Sequence, residues 1–234
     1  MITGSASFLG AAISRRFAES GYDLGLHYRR SKGKTQKLSV EMEGLGIRTM
    51  ILAADLEVEN DVRTLVPKIL KRFGRLDVLV NNASLFLPDP PLHRYQEKKS
   101  LFSTNVFAPF LLVDQAKPHL KKTKGSVVNL TDIYGEKPIL KGYETYSATK
   151  AALINLTRSL ARELGPEIRV NAVSPGAFFI PKTYSKEKTK SLLDKSALKR
   201  SGEPRELAEA VYFMASHPFI TGQVLNVDGG RFLI

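Results

Sequence analysis

The stretch RTMILAADLEVENDVRTLVPKILKRFGRLDVLV, residues 48–80, decides the fold. It opens on a short apolar run, RTMILAA (48–54), and closes on another, LDVLV (76–80). Between them DVRTLVPKILKRFG (61–74) places its apolar residues three and four apart. The outer runs read as buried strands and the middle as an amphipathic helix. Outward from this unit the alternation continues. YDLGLHY (22–28), SVVNL (126–130), IRVNAVS (168–174) and QVLNV (223–227) read as further strands. AAISRRFAESG (11–21), the segment 96–120 and YSATKAALINLTRSLARELG (146–165) read as helices. Strand–helix alternation predicts an α/β fold: a Rossmann-type, doubly wound parallel sheet with helices on both faces.

The chain has 234 residues, and neither repeats nor a linker divide it, so one domain over 1–234 is expected. It has no cysteine, which excludes disulfides, thiolate nucleophiles and zinc–cysteine sites; no metal site is expected. The 35 basic and 23 acidic residues give a formal charge of +12. That charge suits a solvated basic surface or a polyanionic partner such as a phosphorylated cofactor, an acidic carrier or nucleic acid. Basic residues interleaved with aromatics are not seen, so nucleic acid is not an expected partner. No apolar run approaches the roughly 18 residues of a membrane span, and the first residues do not resemble a signal peptide. A soluble, cytoplasmic protein without a membrane partner is expected. The least regular part, GAFFIPKTYSKEKTKSLLDKSALKRSG (176–203), reads as a lid over a site.

TGSASFLG (3–10) runs directly into a helix. Gly4 can adopt positive φ, and Gly10 opens a helix whose first amides favour phosphate; Gly4, Ser7 and Gly10 are candidate phosphate contacts. The strand before this turn has almost no residues, although it is central in such folds. After the second strand, where an acidic residue would bind the ribose of NAD, the chain reads HYRRS (27–31). Arg29 and Arg30 can pair a 2′-phosphate and Ser31 can add a hydrogen bond, with Tyr28 beside them, so the expected cofactor is NADPH/NADP. Asp55 suits either an adenine amino group or the start of the next helix. NNAS (81–84) ends a strand at the carboxyl edge of the sheet, where ligands bind. Tyr146 and Lys150 are four apart on a helix and share a face, and a neighbouring ammonium lowers a phenol's pKa towards a useful value.

Together the turn TGSASFLG, NNAS, Asn105 in STNVFAPF, YSATK, NAVSPGAF and LNVDGG resemble the short-chain dehydrogenase/reductase family over nearly the whole chain. The resemblance implies Tyr146 as acid/base, Lys150 on the nicotinamide ribose, and Asn105 anchoring a water-linked proton path. It extends the cofactor set to Asn82, Ala83, Ser84, Pro175 and Gly176, and it implies a homotetramer. Within the family the chain is most similar to the pteridine reductases. HYRRS, NNASLF followed by LPDPPL (87–92), GYETYSATK with Tyr143 and Tyr146, and Asp132 in place of the usual serine carry this likeness. It implies a pterin- or folate-like substrate, Phe86 stacked on its ring, and Asp132 beside Tyr146 relaying a proton to a ring nitrogen. Asp132 also suits a plain loop cap.

Three features depart from those relatives. Phe8 stands where the family has glycine and pteridine reductases have arginine. The stretch from Asp132 to Tyr146 is one residue longer, around Ile139 and Leu140, and the first strand is short. The rival readings are a carbonyl reductase of the same family, such as a 3-oxoacyl-carrier-protein reductase, and a cofactor-binding sensor without catalysis.

Overall fold

The computed structural model describes residues 1–89, 95–138, 140–178 and 183–234. Among these residues are six strands: β1 (Leu24–Tyr28), β2 (Thr49–Ala53), β3 (Val78–Asn81), β4 (Ser126–Leu130), β5 (Arg169–Pro175) and β6 (Val224–Val227). Each falls within or next to an apolar run of the sequence, and all pair in parallel. β1 and β2 form one ladder and β3-β4-β5-β6 the other. Ile2 joins them, bridging Leu26 on one side and Val80 on the other. The short first strand is therefore a stub in the central position. The amide of Thr3 donates to Val80 O, and Ile2 exchanges backbone bonds with Gly25 and His27.

The helices are α1 (Phe8–Glu19), α2 (Lys32–Glu43), α3 (Glu59–Phe73), α4 (Tyr95–Phe102), α5 (Ala108–Thr123), α6 (Glu144–Leu164), α7 (Lys186–Leu193) and α8 (Pro204–Ser216). α3 shows why such segments become helical. Val62, Leu65, Val66 and Ile69 are its buried stripe. Acidic Glu59 and Asp61 sit in its first turn, and Lys71 and Arg72 in its last, each favourable to the helix dipole. Gly74, at φ 73°, ends it in the left-handed conformation that glycine adopts freely.

Two apolar clusters flank the sheet. One gathers Leu65 of α3, Leu112 of α5 and Leu160 of α6; the other gathers Phe17 of α1, Met42 of α2 and Val211 of α8. The sheet is thus covered on both faces, as the alternation predicts. From the stub the chain winds through α1 to β1 and β2 on one side, and returns to β3 on the other. The crevice at that reversal, beyond the carboxyl ends of the strands, is where ligands bind in this architecture.

Residues 90–92 of the pterin-side loop, Ile139 of the longer segment and residues 179–182 of the lid lie outside the described residues. Within 183–203 the segment read as irregular contains α7, capped by Ser185, whose side chain accepts from the amide of Lys188.

Candidate active site

At the switch point the turn after Ile2 closes on the end of β3. Thr3 Oγ1 accepts from the amides of Asn82 and Ala83, and Asn82 Nδ2 donates to the carbonyls of Thr3 and Gly4. Gly4 holds φ +60°, with Ala83 Cα 3.1 Å from where its Cβ would be. At Gly10 a Cβ would fall 2.2 Å from the carbonyl of Gly4, so only glycine lets the helix start beneath the turn. Ser7 is the N-cap of α1: its Oγ accepts from the amide of Gly10 at 3.1 Å. Phe8, the first residue of α1, is 52% exposed and lines the groove rather than the core.

His27, which sequence reasoning passed over, underpins this turn. It is buried at the end of β1; its Nδ1 accepts from the amide of Gly4 and its Nε2 donates to the carbonyl of Ala54, each at 3.1 Å. Burial holds its pKa below the ordinary value, against the pull of the Ala54 carbonyl and the Asp55 charge. The ring is therefore a neutral acceptor for a backbone amide of the turn.

A groove of about 530 Å³ runs from this turn past Tyr28, Arg29, Arg30 and Ser31 to Asp55. The two arginines are not equivalent. Arg29 pairs with Glu57 at 2.8 Å and stands 3.6 Å from Asp55. Arg30 is exposed with no ion pair among the described residues. Ser31 is the N-cap of α2, yet its side chain makes no capping bond. Of the side chains expected at a 2′-phosphate, that of Arg29 is thus held by acids, whereas Arg30 has no ion pair among the described residues and Ser31 makes no capping bond. Asp55 is not the N-cap of α3, which is Val58; it accepts from the amide of Glu57 instead.

The second cavity, about 550 Å³, adjoins the groove and includes Asp132, Tyr146, Lys150, Phe86 and Gly176 in its wall. Pro175 and Gly176 enter it from the end of β5, where a Cβ on Gly176 would meet Asp228 Cα at 2.6 Å. Asp132 both caps and points inward. Its Oδ1 accepts from the amide of Tyr134 at 3.0 Å, opening a 3-10 turn, and its Oδ2 accepts from the Tyr146 hydroxyl at 2.8 Å. The longer segment before Tyr146 therefore leaves the pair in contact.

Electrostatics correct one expectation. Lys150 Nζ donates to the carbonyl of Leu130 at 2.8 Å and lies 5.7 Å from the Tyr146 ring centre. Tyr146 is not drawn towards neutrality: burial, then the Asp132 charge and hydrogen bond, push its pKa well above the ordinary phenol value. Burial lowers Lys150 to about 8, with Asp132 opposing. Burial raises Asp132, against the Tyr134 amide, the Tyr146 hydroxyl and the charges of Lys150 and Arg231. Tyr146 thus keeps its proton at neutral pH and donates it in a hydrogen bond to the Asp132 carboxyl.

Asn105 lies in a five-residue π turn, Ser103–Phe107, of the kind often found at functional sites. Its Oδ1 accepts from the amide of Leu85 and from Ser84 Oγ, and its Nδ2 donates to Leu85 O and Thr149 Oγ1. It ties the end of β3 to α6, one turn from Tyr146. Phe86 differs from its expected pose. Its ring stacks on Tyr143 at 4.7 Å and meets Tyr146 edge-on at 4.8 Å, so one of its faces is already covered. Asp89, also unforeseen, accepts from the amide of Thr145 and holds this loop to the start of α6.

A family model described as enoyl-(acyl carrier protein) reductase matches residues 4–231. A 3-oxoacyl-(acyl-carrier-protein) reductase of Staphylococcus epidermidis is 33% identical over 241 residues, covering 100% of this chain and 98% of that protein. A blue fluorescent protein from a metagenomic library, solved in complex with NADPH, has a TM-score of 0.91 and 33% identity, with 98% and 96% of the two chains covered. A short-chain dehydrogenase of Burkholderia cenocepacia, solved with NADP, has a TM-score of 0.91 and 31% identity, also over 98% and 96%.

Proposed function

The chain belongs to the short-chain dehydrogenase/reductase family, and from that premise we propose that it is an NADPH-dependent reductase of a pterin- or folate-like substrate. NADPH, when bound, supplies the hydride. The turn at Gly4 and the first amides of α1 hold phosphate, and Arg30 with Ser31 receives the 2′-phosphate. Two features of the structure fit such a ligand: a cradle that Cβ atoms on Gly4 and Gly10 would fill, and Arg30 beside the groove, with no ion pair among the described residues.

The observation that carries the substrate reading is the 2.8 Å bond from Tyr146 to Asp132. Reduction of a C=N bond leaves charge on nitrogen, which must take up a proton. Tyr146 gives that proton to the ring nitrogen, and the Asp132 carboxyl, in the protonated form that burial favours, returns one to the tyrosine oxygen and recovers its own from solvent. The serine usual at this place offers a hydroxyl donor to a carbonyl oxygen, whereas Asp132 offers one only when protonated. The aromatic pair Phe86–Tyr143 walls the flat ring. Of segment 176–203, read as a lid, the described residues Phe178, Tyr184 and Leu192 stand on the cavity wall. The whole is read as one cytoplasmic domain assembled as a homotetramer, with a small-molecule substrate and no nucleic-acid partner.

The second reading is a 3-oxoacyl-carrier-protein reductase. The curated relatives favour it over the pterin reading, and the charge of +12 suits an acidic carrier. The family model is described by a different bond, an enoyl C=C, so the names alone do not single out one substrate. The test follows NADPH oxidation with dihydrobiopterin, dihydrofolate and acetoacetyl thioester, on wild type and Asp132→Ser. Turnover of a pterin that falls about a hundredfold in Asp132→Ser is the expected result. Turnover of the thioester alone, indifferent to Asp132, establishes the second reading.

A further inference from the structure

The cavity beside Tyr146 contains a cation that the proton path does not use. Arg231, just after the closing DGG, is 5% exposed and forms part of the same wall as Asp132. Its Nη1 donates to the carbonyl of Leu192 at 3.0 Å and its Nη2 to the Tyr134 hydroxyl at 3.3 Å. A guanidinium has five N–H donors, and these two bonds leave the others without a partner among the described residues. No carboxylate among them lies within ion-pairing distance of it. Asp228, the acid nearest in sequence, accepts instead from the amides of Gly230 and Phe232. Among the described residues Asp132 is the one carboxylate on the cavity wall, which also includes the cations Lys150 and Arg231. Its own oxygens are taken by Tyr134 and Tyr146.

A buried cation that no carboxylate bonds directly is costly unless something in its working state supplies the missing acceptor. We propose that Arg231 is a substrate-binding residue whose unused N–H donors receive an acceptor oxygen of the substrate. The substrate then carries an oxo or carboxylate oxygen in addition to the bond being reduced. The inference rests on this cavity being the substrate site of a reductase, and it deepens that reading by naming the group. Two sources fit the chemistry: an oxo group on the ring or acyl unit, and a carboxylate on a tail.

The experiment measures KM and kcat for dihydrobiopterin, dihydrofolate and acetoacetyl thioester in wild type, Arg231→Gln and Arg231→Lys, with NADPH affinity by fluorescence titration. KM for the reduced substrate should rise about tenfold or more in Arg231→Gln, as loss of a charged hydrogen bond predicts. It should rise less in Arg231→Lys, with kcat within about threefold and NADPH affinity unchanged. Dihydrobiopterin has a ring oxo group and no carboxylate; dihydrofolate has both. Equal rises assign the ring oxygen, and a rise confined to dihydrofolate assigns the tail. Unchanged KM overturns the proposal. So does a joint fall in kcat, substrate affinity and NADPH affinity, which marks a mere tie between Leu192 and Tyr134. If wild type reduces only the thioester, the pterin reading fails and Arg231 is judged on that substrate's KM. If it reduces none, the reductase reading fails, and calorimetry of p-aminobenzoate with the NADP-loaded protein decides. Binding lost in Arg231→Gln sustains the proposal; binding that is equal or absent overturns it.

Discussion

Tyr146 and Lys150 stand one helical turn apart, and burial pushes their pKa values in opposite directions. For the tyrosine this keeps the proton in place until a substrate needs it. For the lysine it is a stability cost with a definite pH signature. Lys150 titrates at about 8 in the fold against 10.5 in its ordinary state. Between those values the unfolded chain binds a proton that the folded chain does not, so stability rises with pH through that window. Below it the penalty is complete. Lys150→Met should therefore stabilise the protein at pH 7 by roughly 1–3 kcal/mol, after the lost bond to Leu130, while abolishing turnover. Urea melts at pH 7 and at pH 10 check this: the gap should close at the higher pH. His27 gives a second residue-level prediction. His27→Leu leaves the Gly4 amide without its acceptor, and NADPH should bind about tenfold more weakly, by fluorescence titration. The pair Tyr146–Lys150 was readable because spacing along a helix is fixed by covalent geometry. His27 was not, because a single histidine in a strand shows no pattern. Its role exists only once the Gly4 turn and the end of β2 fold back onto it.

At the scale of elements, the proposed cofactor choice rests on the loop from β1 into α2. Arg29 is engaged by Glu57 and Asp55, whereas Arg30 has no ion pair among the described residues. Arg30→Asp should therefore weaken NADPH far more than NADH, by about a hundredfold in the ratio of dissociation constants, since it replaces attraction to a dianionic phosphate by repulsion. Arg29→Ala should change that ratio by less, and equal losses for both cofactors would remove the 2′-phosphate assignment. The apolar runs revealed all six strands because a sheet covered on both faces admits few polar residues. They did so even in β4, where all five residues are buried. α3 and α6 have long buried stripes, whereas α7 buries none of its residues and so reads as irregular chain. α8 had a signal that was passed over: Pro204 at its first position, and Glu206 returning to the amide of Glu203 at 2.8 Å. The π turn at 103–107 has no such signature, since it depends on how Asn105 meets Leu85 and Thr149.

At the scale of the whole molecule, the two faces of the sheet each leave aromatic side chains outside the core. On the α5 side Phe107 is 58% and Phe110 49% exposed; on the α8 side Phe213 is 47% and Phe219 96% exposed. α5 packs on the cluster shared with α3 and α8 on the cluster shared with α1, so these patches belong to opposite layers. Exposed apolar patches mark association, and a patch that meets its own copy generates a two-fold axis. Two such patches on separate layers generate two axes, and their combination is a tetramer of dihedral symmetry, consistent with the assembly proposed for this protein. The consequence is specific. Phe110→Asp should break one axis and leave dimers held by the other, and Phe219→Asp should leave dimers of the second kind. The double variant should run as a protomer of 25.9 kDa. Light scattering coupled to size exclusion reads these masses directly. None of the four aromatics lines the groove or the catalytic cavity, so NADPH titration should be unchanged in each variant if assembly and binding are independent. A single variant that keeps the wild-type mass would show that its patch is not an interface. A loss of NADPH affinity accompanying dissociation would show instead that the second protomer braces the α4–α5 side of the site, where Asn105 links α6 to the end of β3.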